Sequence, residues 1–104
     1  MWNDQDDKIL DIIDSLIQKD TFPCECPICK ERDAHVYMHG EKNKIGSAWV
    51  WCGTCKNYSH FSYRLPSYWK NIEEISLDNL YHSPDNLNKI KDVIDAHINN
   101  LNNK

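Results

Sequence analysis

No apolar run in this chain reaches the roughly 18 residues that a membrane-crossing helix needs. The first residues are acidic and carry no basic stretch ahead of an apolar one, so no signal peptide is expected and the compartment is read as cytoplasmic. Three glycines leave no phosphate-cradling loop, and no Ser/His/Asp set or paired-carboxylate pattern stands out, so we expect no enzyme. Internal repeats and long linkers are missing too. At 104 residues the chain is expected to be one domain with a limited core, which makes a metal staple physically reasonable. Its wealth of Asn, Ile and Lys suggests an AT-rich, bacterial genome.

A basic surplus is also lacking. Net charge is −4, and one divalent ion held by four thiolates would take it to about −6. The charge is uneven. Residues 1–20 carry six Asp against Lys8 and Lys19, residues 21–70 four acids against seven bases, and residues 71–104 six acids against three bases. Nine of the eleven aromatics lie in that middle part. A mildly basic, aromatic centre sits between acidic flanks.

What stands out is cysteine. Cys26-Pro-Ile-Cys29 and Cys52-Gly-Thr-Cys55 are two Cys-x-x-Cys turns separated by 22 residues. Each turn can offer two thiolates to one tetrahedral ion, and two turns complete a closed shell with no position left for water or substrate. The expectation is one structural Zn2+ on Cys26, Cys29, Cys52 and Cys55. Without a secretory route, five cysteines favour metal over disulfides, and an odd number cannot all pair. Cys24 is an alternative to Cys26 in the first turn; our reading makes it a small, semi-buried residue beside the site. His60 is an alternative fourth ligand, read here as a surface or outer-shell histidine. Asn57-Tyr-Ser matches a glycosylation triplet, but it is expected to be idle in a cytoplasmic protein.

Two catalytic readings compete. Trp51-Cys52-Gly-Thr-Cys55-Lys56 looks like a thioredoxin active site, where the motif opens a long helix. Here the following residues alternate as a strand does, and only 49 residues follow Cys55 in this sequence. His39-Gly-Glu41 with Cys52 and Cys55 resembles a zinc deaminase signature. Only 10 residues separate Glu41 from Cys52, and the first cysteine pair would stand idle.

The periodicity predicts an α+β fold. Ile9, Leu10, Ile12, Ile13, Leu16 and Ile17 fall at helical spacing over residues 4–19, with Asn3 or Asp4 as cap, Asp6 and Asp7 at the positive end and Lys19 at the other. Thr21-Phe22-Pro23 should end it. Strands are predicted at 34–39, 45–51 and 58–65, with a turn at 40–43. Val36 and Met38 should share one face of the first strand, and Trp49 and Trp51 one face of the second. Trp69 to Leu80 should be a short helix or an irregular segment. A last helix should start at Ser83 as cap with Pro84 at its first position, carry Leu87, Ile90, Ile94, His97 or Ile98, and Leu101, pair with the first helix and fray at its Asn-rich end. One sheet face should be covered and the other free. The parts are an N-terminal helix (1–21), a cysteine-bearing three-stranded antiparallel unit (22–66) and a C-terminal helical part (67–104).

Partner-binding candidates follow from side-chain chemistry. Trp49, Trp51, Tyr58, His60 and Arg64 could form a platform that stacks bases or anchors a protein. Asp4, Asp7 and Asp11 make a negative surface that repels phosphate backbones and attracts a basic partner.

Residues 24–65 resemble the zinc-ribbon class through the two cysteine turns and the hairpin pattern between them. That resemblance implies a structural zinc and leaves function open, since such ribbons serve in transcription, translation, nucleases and protein docking. The whole outline, with the run Gly46-Ser-Ala-Trp-Val-Trp-Cys-Gly-Thr-Cys55, is similar to small bacterial immunity proteins of polymorphic toxin systems. This implies a non-enzymatic protein-interaction module that covers a basic toxin or nuclease domain. The alternative is a nucleic-acid-binding ribbon.

Overall fold

A computed structural model describes residues 2–4, 7–73, 75, 80 and 83–102. Its frame is a three-stranded antiparallel sheet, β1 (Ala34–His39), β2 (Ile45–Cys52) and β3 (Tyr58–Arg64), in the order β1-β2-β3. Alternation sets the register. Val36 faces Val50 and Met38 faces Ala48 on one side, while His35 faces Trp51 and Tyr37 faces Trp49 on the other. β3 continues both rows, with His60 opposite Trp49 and Phe61 opposite Ala48. The β1–β2 turn carries Gly40 at φ +152, a backbone conformation that side chains disfavour.

A 3₁₀ turn, Asp7–Asp11, runs into helix α1, Ile12–Ile17. Asn3, expected as a cap, is instead paired beside Asn57 as an isolated parallel bridge. Asp6 lies outside the described residues. Lys19 takes the left-handed conformation that closes the helix, at φ 60. The turn and α1 bury Ile9, Ile12, Ile13 and Leu16, which cover the Val36 face; each such side chain contributes about 1.5–3 kcal/mol.

The C-terminal part splits where one helix was expected. Pro84 is the cap rather than the first residue of α2, Asp85–Lys89. Ile90 breaks the helical backbone at φ −117, and α3, Lys91–Asn102, follows. Pro84 C=O accepts from Asn88 N–H at 2.7 Å, which closes the first turn of α2. The described residues between Trp69 and Leu80 form turns and irregular backbone; 74 and 76–79, like 103–104 at the expected fraying end, lie outside the description. α3, α2 and the irregular segment cover the other sheet face, through His35–Asp95, Trp51–Asn88 and Tyr37–Trp69 contacts. The sheet is therefore sandwiched. The first and last helices take opposite faces instead of pairing, and no face of β1 or β2 is left free, because both strands bury side chains on each side.

Candidate metal centre

The two cysteine turns are near copies of each other. In the first, Lys30 N–H donates to Cys26 C=O at 3.0 Å and Cys26 N–H donates to Glu31 C=O at 2.8 Å. In the second, Lys56 N–H donates to Cys52 C=O at 3.0 Å and Cys52 N–H to Asn57 C=O at 3.0 Å. Lys30 and Lys56 both adopt left-handed backbone, at φ 70 and 63. This conformation closes each turn tightly enough for both sulfurs to face one point, although it costs about 1–2 kcal/mol for a side-chain-bearing residue.

The β1–β2 hairpin brings the turns together. The Sγ atoms of Cys26, Cys29, Cys52 and Cys55 lie within 4.8 Å of one another. Cys26 Sγ is 3.7 Å from Cys55 Sγ, and Cys29 Sγ is 3.6 Å from Cys52 Sγ. A tetrahedral ion with metal–sulfur bonds near 2.3 Å would set those edges at about 3.8 Å. The same distances exclude a disulfide, whose sulfurs sit about 2.05 Å apart. The donor set fits one metal ion with a closed thiolate shell.

Backbone N–H groups aim at the sulfurs. Ile28 and Cys29 donate to Cys26 Sγ at 3.4 and 3.5 Å. Without a metal, burial pushes the Cys26 and Cys52 thiols above their ordinary range. Burial acts the same way on Cys55, but hydrogen bonds from the side chain and backbone of Asn57, together with those to Cys52 and Cys26, outweigh it and bring that thiol down. Cys26 and Cys52 are buried, while Cys29 and Cys55 are partly exposed.

A polar network ties the second turn to α3. Gly53 N–H donates to Asp33 C=O at 3.0 Å, and Thr54 Oγ1 donates to the Asp33 carboxylate at 3.1 Å. That carboxylate also receives Lys91 Nζ at 3.1 Å and His35 Nε2 at 2.6 Å. The other His35 nitrogen faces Asp95 at 2.8 Å. Burial works to raise the Asp33 carboxyl, yet these donors hold it below the usual carboxylate range.

The remaining candidates separate. Cys24 is buried and pairs with Ala34 by two backbone bonds of 3.1 Å, outside the sulfur cluster. His60 is also outside the cluster and stacks on Trp49 at 4.6 Å between centroids. Trp49 is 3% exposed and Trp51 is 0% exposed, so neither can serve as a stacking platform; the expected pair belongs to the core. Tyr58 is half-buried with its ring edge-on to Trp2, and Arg64 is exposed with its guanidinium on Asn43 C=O. Asp4, Asp7 and Asp11 are exposed, and Asp14 with them.

Asn57, Asp33, His35 and Asp95 were not singled out for the site in the sequence. Asn57 is one of eleven asparagines, and no spacing distinguishes it. Asp33 and His35 do flank Ala34 at the start of an alternating strand, a weak signal for two polar groups on one buried face.

No family model, no curated protein and no solved structure matches the chain. The assignment of the site therefore rests on the cysteine turns and their geometry. Among the described residues, no helix is long and apolar enough to cross a membrane.

Proposed function

We propose that the chain is a non-enzymatic, zinc-stapled ribbon that acts as a protein-interaction module, with a basic protein domain as its partner. The observation that carries this is the four-sulfur cluster within 4.8 Å, since a closed thiolate shell supplies folding energy and offers no position for catalysis. The soft thiolate set, with two of its sulfur–sulfur edges at 3.7 and 3.6 Å, suits zinc.

The partner follows from charge. Asp4, Asp7, Asp11 and Asp14 recur at three- and four-residue steps and are all exposed, while Ile9, Ile12 and Leu16 turn inward. Such a surface steers a positively charged partner and repels nucleic acid. A toxin or nuclease domain, whose own substrate is anionic, has the complementary charge, and covering its active site would be inhibition. Burial takes Trp49 and Trp51 out of the aromatic platform on which a nucleic-acid reading would draw.

The test is recovery of tagged protein from its host with and without nuclease treatment, beside elemental analysis of the purified chain. The expected result is one equivalent of zinc and one stoichiometric, basic protein that survives nuclease and is lost when Asp4, Asp7 and Asp11 are all changed to Asn. Nuclease-sensitive recovery of RNA or DNA would overturn the partner reading. A stable, folded chain that takes up no metal would overturn the zinc reading.

A further inference from the structure

The two cysteine turns share their backbone hydrogen bonds, so a difference between them at an equivalent position isolates something added to the plain turn. That position is Glu31 in the first and Asn57 in the second, the residues whose carbonyls accept from Cys26 and Cys52. Glu31 is exposed, whereas Asn57 is 9% exposed and turns its side chain inward. Asn57 Nδ2 lies 3.2 Å from Cys55 Sγ. The other end of the amide, Oδ1, accepts from Asn3 Nδ2 at 3.2 Å. A metal-bound thiolate accepts hydrogen bonds and has none to donate, so the nitrogen edge of the amide is the one that suits it. Asn3 then meets the oxygen edge and holds the amide in that orientation.

Asn3 is itself fixed by backbone pairing around Asn57. Its N–H donates to Lys56 C=O at 2.7 Å, and its C=O accepts from Tyr58 N–H at 2.9 Å. Next to it, the Trp2 indole donates to Asp85 at the start of α2, packs edge-on against Tyr58 and lies under Lys56 Nζ at 4.8 Å. A segment more than 50 residues away in sequence is thus strapped across the back of the second turn, with one side chain reaching the group that contacts the sulfur.

Resting on the metal reading above, we propose that Asn57 is a positioning residue of the metal centre and that Asn3 orients it, so that the N-terminal strap governs how firmly the second turn keeps its metal. Cys55 is the ligand that needs this. Like Cys29 it is partly exposed and ends its turn, so it is a thiolate from which the shell can open, and it is the one of the two that carries a side-chain donor. A donor fixed on its sulfur draws charge from the thiolate, slows its attack by protons or electrophiles, and keeps it aimed at the ion.

The experiment uses the full-length, zinc-loaded chain and a chromogenic chelator in excess, with iodoacetamide alkylation mapped by peptide mass spectrometry. Wild type must first show one zinc and a tetrathiolate spectrum with cobalt. If it does not, the metal reading itself fails, before any variant is compared. Given that, Asn57→Leu should release zinc about 10–100-fold faster, the usual effect of losing an outer-shell partner. Cys55 should become the first thiol alkylated. Asn3→Ala keeps the backbone pairing and should give a smaller increase that vanishes in the Asn57→Leu background, because Asn3 acts through Asn57. In cadmium-loaded protein, the ¹¹³Cd resonance should move in Asn57→Leu and stay put in Glu31→Ala, the matched change in the other turn. Unchanged release in a folded Asn57→Leu variant would overturn the proposal. So would an Asn3→Ala effect that persists undiminished without Asn57, or equal alkylation of all four ligands. Should Asn57→Leu not fold, Asn3→Ala at its exposed site carries the same test, and wild-type release and alkylation order in that variant would overturn it.

Discussion

His35 and Asp95 meet across the interface of β1 and α3, Nδ1 to carboxylate at 2.8 Å, with the ring 1% exposed and tilted over Trp51 at 5.4 Å. The opposite ring nitrogen faces the Asp33 carboxylate. Each ring nitrogen thus meets a carboxylate, and the ring joins the sheet to its covering helix. His35→Leu should cost about 3–5 kcal/mol, because it strands the buried Asp95 carboxylate; a near-neutral change in unfolding free energy would refute the pairing.

Asp33 sets a pH dependence. Its native carboxyl is held below the ordinary value of about 4, so the stability it adds is complete above that value and is lost as pH falls through the depressed native one. The difference in unfolding free energy between wild type and Asp33→Asn should shrink across that acid range. A gap that stays constant into strong acid would contradict the assignment.

Removal of the metal should unfold the hairpin and its turns. Four thiols around one point gain nothing from their proximity without the ion, whose binding energy is folding energy. Chelation under reducing conditions, or Cys52→Ser, should collapse amide dispersion in NMR, whereas Cys24→Ser should keep the metal, since Cys24 stands apart from the cluster. A dispersed, metal-free, reduced spectrum would count against the site.

Gly53 sits where the second turn touches two polar groups. A Cβ there would come within 2.5 Å of Asp33 Oδ2 and 2.9 Å of Asn88 Oδ1, and Asn88 already accepts from the Trp51 indole at 3.1 Å. Gly53→Ala should lower stability by about 1–3 kcal/mol, as overpacking does elsewhere. Thermal unfolding of the zinc-loaded variant measures it, and an unchanged midpoint would show that Asp33 yields freely.

Trp49→Ala distinguishes core from platform. Truncating a buried tryptophan should cost about 3–5 kcal/mol. The expected result is a strongly destabilised protein, rather than a stable one that has lost binding.

Much of this protein is determined by local sequence. Strand alternation at 34–39 and 45–52, the spacing of Cys26, Cys29, Cys52 and Cys55, and the inward row of Ile9, Ile12 and Leu16 each follow from a period of two, a four-residue turn or a helical repeat, which neighbouring residues set by themselves. Other features needed the assembled molecule. Whether Trp49 and Trp51 meet solvent depends on which elements land on their face, and no period encodes that. The same is true of the break at Ile90, which interrupts a continuous helical pattern. Asn3 and Asn57, or His35 and Asp95, are indistinguishable in sequence from other solvated polar residues. Only the tertiary fold brings them together across 54 and 60 positions and removes from Asn57, His35 and Asp95 the water that would otherwise satisfy them.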